Sequence, residues 1–229
     1  VLDLDRLTAA DTAIAGGKGA NLGELLGKGF PVPPGFVVCA GAYASYLGSL
    51  ELGAELLQLR YAPPDEIAQC CSVIRSRVEG QDLPAGLAEA ITGAHAKLIE
   101  NRGRSIVCAV RSSATAEDLG AASFAGQHGT YYYVDAAQLL NKVRQCWGSL
   151  WSPEAVSYRI THGIDHASVS MAVVVQEMIA SEVSGVSFTA NPVTGARDEV
   201  IIESSWGMGA AIVDGRVTPD LYVLERGDL

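Results

Sequence analysis

Ala109-Val110-Arg111-Ser112-Ser113-Ala114-Thr115-Ala116-Glu117-Asp118, continuing to Ser123-Phe124-Ala125-Gly126-Gln127, is the stretch on which the reading of this chain turns. An apolar run from Ile106 to Val110 ends in an arginine, and hydroxyls and two acids follow. The pattern predicts a strand over 105–110 that delivers a guanidinium to its tip. Residues 112–129 then read as a loop rich in Gly, Ala and Ser, with one short helical turn. A guanidinium is a rigid fork of donors matched to phosphate oxygens. Gly126 carries no side chain, so the backbone there can approach a ligand closely. On these residues alone two readings stay open: Arg111 binds an anion, or it caps a helix or pairs with Glu117.

Upstream, Gly16-Gly17-Lys18-Gly19-Ala20-Asn21-Leu22-Gly23 sets one lysine among glycines, and Leu22, Leu25 and Leu26 follow with helical spacing. A glycine-rich turn opening a helix offers N–H groups and a positive dipole end to phosphate. Neither a Walker A loop nor a G-x-G-x-x-G after a strand is present. Spacing alone therefore favours a structural turn with an exposed lysine. Pro31, Pro33 and Pro34 force an extended connection into a strand at Gly35–Cys39. Helices are predicted over 41–60, from Asp65 through Val78, and after Leu83-Pro84.

Downstream, Thr130–Val134 is β-rich. Asp135 and Ser152-Pro153-Glu154 mark two further helix starts. Ser168–Ile179 carries Met171-Ala-Val-Val-Val175 and then Gln176, whose amide either bonds a neighbouring strand or faces a ligand pocket. Strands follow at 185–189 and 200–203, with a turn at Asn191–Gly195 and a hairpin turn at Asp214-Gly215. Trp206 reads either as a core aromatic or as a stacking surface. The expected architecture is α+β. Its expected divisions are a helix-rich 1–110, a second subdomain 111–195, and strands 196–229 returning to the first.

The net charge of −10 and the lack of a basic run exclude a nucleic-acid footprint. A bound anion must be held by a local site against that field. The five cysteines are odd in number and mostly sit in apolar runs, which predicts buried, reduced thiols. With no signal peptide and no 18-residue apolar span, the chain reads as soluble and cytoplasmic, without a membrane partner. Glu117, Asp118 and Glu203 lack metal-ligand spacing, so no metal ligand is assigned.

Arg111-Ser-Ser-Ala-Thr-Ala-Glu-Asp with Ser123-Phe-Ala-Gly-Gln resembles the N-terminal nucleotide-binding region of the dikinase family. That family comprises phosphoenolpyruvate synthase (pyruvate, water dikinase), pyruvate, phosphate dikinase and the rifampicin phosphotransferases. Gly16-Gly-Lys-Gly-Ala-Asn-Leu-Gly, Val32-Pro-Pro-Gly-Phe-Val-Val, Val175-Gln-Glu-Met, Ser184–Pro192 and Glu203–Gly209 resemble it in the same order. The resemblance implies a partial ATP-grasp-like domain whose C-terminal subdomain is missing. It implies Lys18 and Arg111 as phosphate ligands, Gly126 and Thr130 as phosphate-loop positions, and Gln176 as a nucleotide contact. ATP and Mg2+ are the implied cofactors, with the magnesium-holding acid downstream of Leu229. The implied reaction passes phosphoryl from ATP to a histidine in a separate domain and on to pyruvate, or to an antibiotic in the rifampicin branch; a stand-alone nucleotide-binding or docking module is the third possibility. None of His95, His128, His162 and His166 sits in the Gly-Gly-x-Thr-x-His context of the family's phosphate carrier. The 229 residues are accordingly expected to be an N-terminal piece that does not turn over alone.

Overall fold

Every residue from Met171 to Glu177 is buried, on both faces of the strand, and the first of two units is built around that segment. The structure, a computed structural model, describes residues 1–115 and 129–228. The units are Val1–Met178 and Ile179–Leu229.

The first unit runs β1 (Leu2–Asp3), α1 (Thr12–Gly27), β2 (Gly35–Val38), α2 (Ala40–Ser49), α3 (Gly53–Tyr61), α4 (Ile67–Gly80), α5 (Ala85–Arg102), β3 (Cys108–Ala114), β4 (Thr130–Val134), α6 (Leu139–Gly148), α7 (Pro153–Thr161) and β5 (Met171–Glu177). Its five strands form one antiparallel sheet in the order β1-β2-β5-β3-β4. The Val173-Val174-Val175 run suits the centre of this sheet, since branched side chains pack on both pleated faces. One face carries Phe36, Val38, Cys108, Val110, Met171, Val173 and Val175 into the main core with Tyr43, Tyr46, Ile74, Val143 and Trp147. The other carries Val37, Ala172 and Val174, packed against Ala15, Leu22 and Leu26 of α1 and against Leu4 and Leu7. The sheet is thus a middle layer with α1 on one side.

Local signals explain several element ends. Ser152 caps α7, its hydroxyl accepting from Ala155 N at 3.2 Å, with Pro153 in the first turn. The Asp135 carboxylate accepts from Gln138 N at 2.9 Å just ahead of α6. The expected helix 41–60 is two helices, because the chain turns between Leu50 and Leu52. Strand β3 does not stop at Arg111 as expected. It continues with Ser112, Ser113 and Ala114 opposite Val173, Ala172 and Met171. Polar residues persist there because their hydroxyls and amides are bonded: Thr115 N and Oγ1 both donate to Ser170 O, and Ser113 bonds α1.

The two units divide between Met178 and Ile179. Strand β3 cannot part from β4 and β5 without opening a ladder, so residues on both sides of 111 share one sheet.

The second unit is an antiparallel sheet of β6 (Val183–Phe188), β7 (Glu199–Trp206) and β8 (Asp220–Glu225), with α8 (Ala210–Val213) before β8. The turn at Asn191–Gly195 is built as expected: the Asn191 side-chain oxygen accepts from Val193 N and Thr194 N. Asp214-Gly215 is not a hairpin turn. Gly215, at φ 65°, closes α8, its N–H bonding Ile212 O, and β8 starts only after Pro219. Trp206 is 82% exposed, which excludes the core reading of that side chain. No helix among the described residues is long and apolar enough to cross a membrane.

Candidate functional site

The site is built from one break in α1 and one strand of the first unit. Gly16 has φ 67° and ψ 169° inside α1, conformations open almost only to glycine. Side-chain insertion is a recognised cause of such a break, and here the group is Ser113. Its hydroxyl donates to Ala15 O at 2.9 Å and accepts from Gly19 N at 3.2 Å. One oxygen thus bridges Ala15 O and Gly19 N, the two groups that a regular helix links directly. The approach is close enough that a Cβ at Gly16 would lie 2.2 Å from Ser113 O. Lys18, half-buried, sits within the bridged turn.

Ser113 and Arg111 stand two apart on β3 and so share a face of the sheet. Arg111 is opposite Val174 on β5 and Thr130 on β4, and Gln176 is opposite Ala109 and Gly35. Directly opposed residues of antiparallel strands point to the same side. Arg111, Thr130 and Gln176 therefore belong to the sheet face that α1 covers. Arg111 is half-buried, and its buried Nε meets no acceptor among the described residues. Gly129, the residue before Thr130, accepts from Ser112 N at 3.1 Å, which anchors the return of the chain beside Arg111. The Cys146 thiol lies 3.7 Å from Gly129 O. Burial pushes its pKa far up, and Lys142 and Lys18 act against that rise.

Of the residues singled out in the sequence, Lys18, Arg111, Thr130 and Gln176 are brought to one side of one sheet. Gln176 is 6% exposed, and its Nε2 donates to Pro33 O at 2.8 Å. Its amide nitrogen thus holds the Pro31–Pro34 connection that leads into β2. Gly126 lies outside the described residues, as do Glu117, Asp118 and His128. His95 is a core residue at 4% exposure, and burial lowers its pKa.

Two features escaped the sequence reading. The first is the Ser113 bridge. Strand alternation from Arg111 would have placed Ser113 on the same face, but nothing local names a partner 94 residues away. The second is Glu177, 1% exposed at its side chain, which pairs with Arg102 and Arg104. All five cysteines are free thiols, four of them buried. No group of three or more His, Cys, Asp or Glu among the described residues could hold a metal.

In chemical terms, a half-buried lysine and an arginine whose buried Nε meets no acceptor among the described residues suit an oxyanion-rich ligand, on a mixed helix-and-sheet domain whose overall charge opposes anions. The family model for the pyruvate phosphate dikinase AMP/ATP-binding domain matches residues 12–229, and the chain belongs to that family. It is similar to a probable phosphoenolpyruvate synthase of Pyrococcus abyssi, 41% identical over 261 residues, covering 97% of this chain and 32% of that protein. A phosphoenolpyruvate synthase of Aeropyrum pernix is 42% identical over 236 residues, 100% of this chain and 29% of its own length. A rifampicin phosphotransferase of Streptomyces sviceus is 43% identical over 235 residues, again 100% of this chain and 27% of that one. The chain spans a third or less of the length of these relatives.

Proposed function

We propose that this chain is the ATP-binding portion of a phosphoenolpyruvate synthase-like dikinase with an ATP-grasp-like arrangement. Lys18 and Arg111 receive the polyphosphate, Gly126 and Thr130 serve as phosphate-loop positions, and Gln176 is a nucleotide contact. The observation that carries this reading is the Ser113 junction. It ties the lysine-bearing turn to the arginine-bearing strand on one sheet face, next to a guanidinium nitrogen that meets no acceptor among the described residues. Two cations so placed stabilise negative charge on a transferring phosphoryl group. Mg2+ would arrive with ATP, its remaining ligands coming from outside the described residues.

In the whole polypeptide the phosphoryl group passes to a histidine of a separate domain and then to pyruvate. The Streptomyces sviceus relative, as similar as the synthases, supports a second acceptor, an antibiotic of the rifampicin type.

Titration calorimetry with ATP and Mg2+ on the product of the complete reading frame tests the site. Lys18→Ala and Arg111→Ala are each expected to weaken binding about tenfold or more, the worth of a charge-assisted hydrogen bond. Unchanged affinity in both variants overturns the assignment. Phosphate transfer from bound ATP onto pyruvate or onto rifampicin then separates the two acceptors.

A further inference from the structure

Resting on the ATP reading above, we propose that Ser113 is a positioning residue that sets the Lys18 turn against Arg111. The Ser113 side chain is fully buried, yet its hydroxyl bonds no group of its own strand. Both of its partners lie in α1, one on each side of the Gly16–Lys18 segment. A helix starting after Gly16 leaves its first N–H groups without intrahelical acceptors. Ser113 supplies one to Gly19 N at 3.2 Å and donates its own proton to the Ala15 carbonyl at 2.9 Å. One oxygen therefore fixes the backbone on both sides of Lys18.

The same residue is two positions from Arg111 on the same face of β3. A strand is stiff over that distance, so the separation of the two cationic residues is transmitted through a single hydroxyl and two short chain segments. Removing the hydroxyl leaves Ala15 O and Gly19 N free to re-form a direct helical link, which rotates Lys18 relative to β3. The fold survives, because Ala172, Val174 and the α1 apolar face still pack. What is lost is the setting of the lysine.

The test is a double-substitution cycle on the product of the complete reading frame, with Mg2+-ATP affinity as the readout and cooperative thermal unfolding as the check on folding. Ser113→Ala is expected to weaken ATP binding about tenfold. Lys18→Ala, costly in the native background, is expected to cost little when Ser113 is already alanine, because the lysine is then misplaced. A merely structural serine would lower the melting temperature and leave the cost of Lys18→Ala the same in both backgrounds; that result, or unchanged ATP affinity in Ser113→Ala, overturns the proposal. If Ser113→Ala does not fold, Ser113→Cys, which keeps a small and weaker donor there, enters the same cycle. Failure of the nucleotide reading looks different: Lys18→Ala and Arg111→Ala then leave the affinity of the native background untouched.

Discussion

Gly16→Ala isolates the physical core of the site without reference to any ligand. The added Cβ would stand 2.2 Å from Ser113 O, 2.3 Å from Ser113 Oγ and 2.6 Å from Ser113 C. The backbone atoms belong to a paired strand and cannot step aside. Holding alanine at φ 67° and ψ 169° costs about 1–3 kcal/mol, and crowding a packed site adds about 1–3 kcal/mol. If the chain relieves the clash by moving α1, the two Ser113 hydrogen bonds are lost at about 1 kcal/mol each. Either way the loss is about 2–6 kcal/mol, a large part of the ~5–15 kcal/mol that holds a domain together. With a urea slope of about 2–3 kcal/mol/M, the midpoint falls by about 1 M or more. Gly27→Ala, at the end of the same helix with nothing within 4 Å of its added methyl, is the control and should hold or gain stability. Equal midpoints for Gly16→Ala and the native chain would show that the Ser113 junction is not built as described.

Three further outcomes are expected. Arg102→Ala or Arg104→Ala alone leaves Glu177 one counter-charge and costs under ~1 kcal/mol. The pair together strands a carboxylate that is 1% exposed and costs about 2–3 kcal/mol by urea denaturation, tempered because the guanidinium groups are 41% and 61% exposed. Additive, sub-kcal effects would argue against the buried pairing. Arg159 Nε donates to His166 Nδ1 at 3.0 Å. Burial first, then the Arg159 guanidinium, hold His166 below its ordinary value of 6.5, with Asp165 opposing. The unfolded chain thus takes up a proton near pH 6.5 that the folded chain resists, and stability falls as the pH drops below that value. His95, lowered by burial, adds in the same direction. The midpoint loss between about pH 7 and pH 5 should be shallower in His166→Asn; identical slopes would rule His166 out. Lastly, burial pushes the Cys71 and Cys108 thiols up to about 11. A thiol reagent at neutral pH should label Cys39 quickly and the other four only on unfolding, and rapid labelling of Cys108 would contradict the packing of β3.

Much of the architecture is legible locally. Ser152-Pro153-Glu154 starts a helix because its cap and first turn are satisfied within four residues. Asn191-Pro192-Val193-Thr194-Gly195 turns because the Asn191 amide reaches its own backbone neighbours. The valines of β5 announce a central strand. Where the reading stopped short, the deciding contact lay far away. Strand β3 runs past Arg111 because β5 offers a ladder to Ser112, Ser113 and Ala114, which no local propensity records. Asp214-Gly215 has hairpin chemistry, but Gly215 is spent on ending α8.

For the site, side-chain type and spacing by themselves pointed to an arginine ahead of a run of hydroxyls; the lysine among glycines read by spacing as a structural turn, and the family resemblance is what implied it as a phosphate ligand. Only the tertiary structure decided that both residues belong to one side of one sheet, and that a buried serine joins them. The physical reason is range. Caps and turns are settled by bonds closed within a few residues, whereas the Gly16 break is bridged by the Ser113 hydroxyl, which takes the Gly19 N–H from 94 positions away.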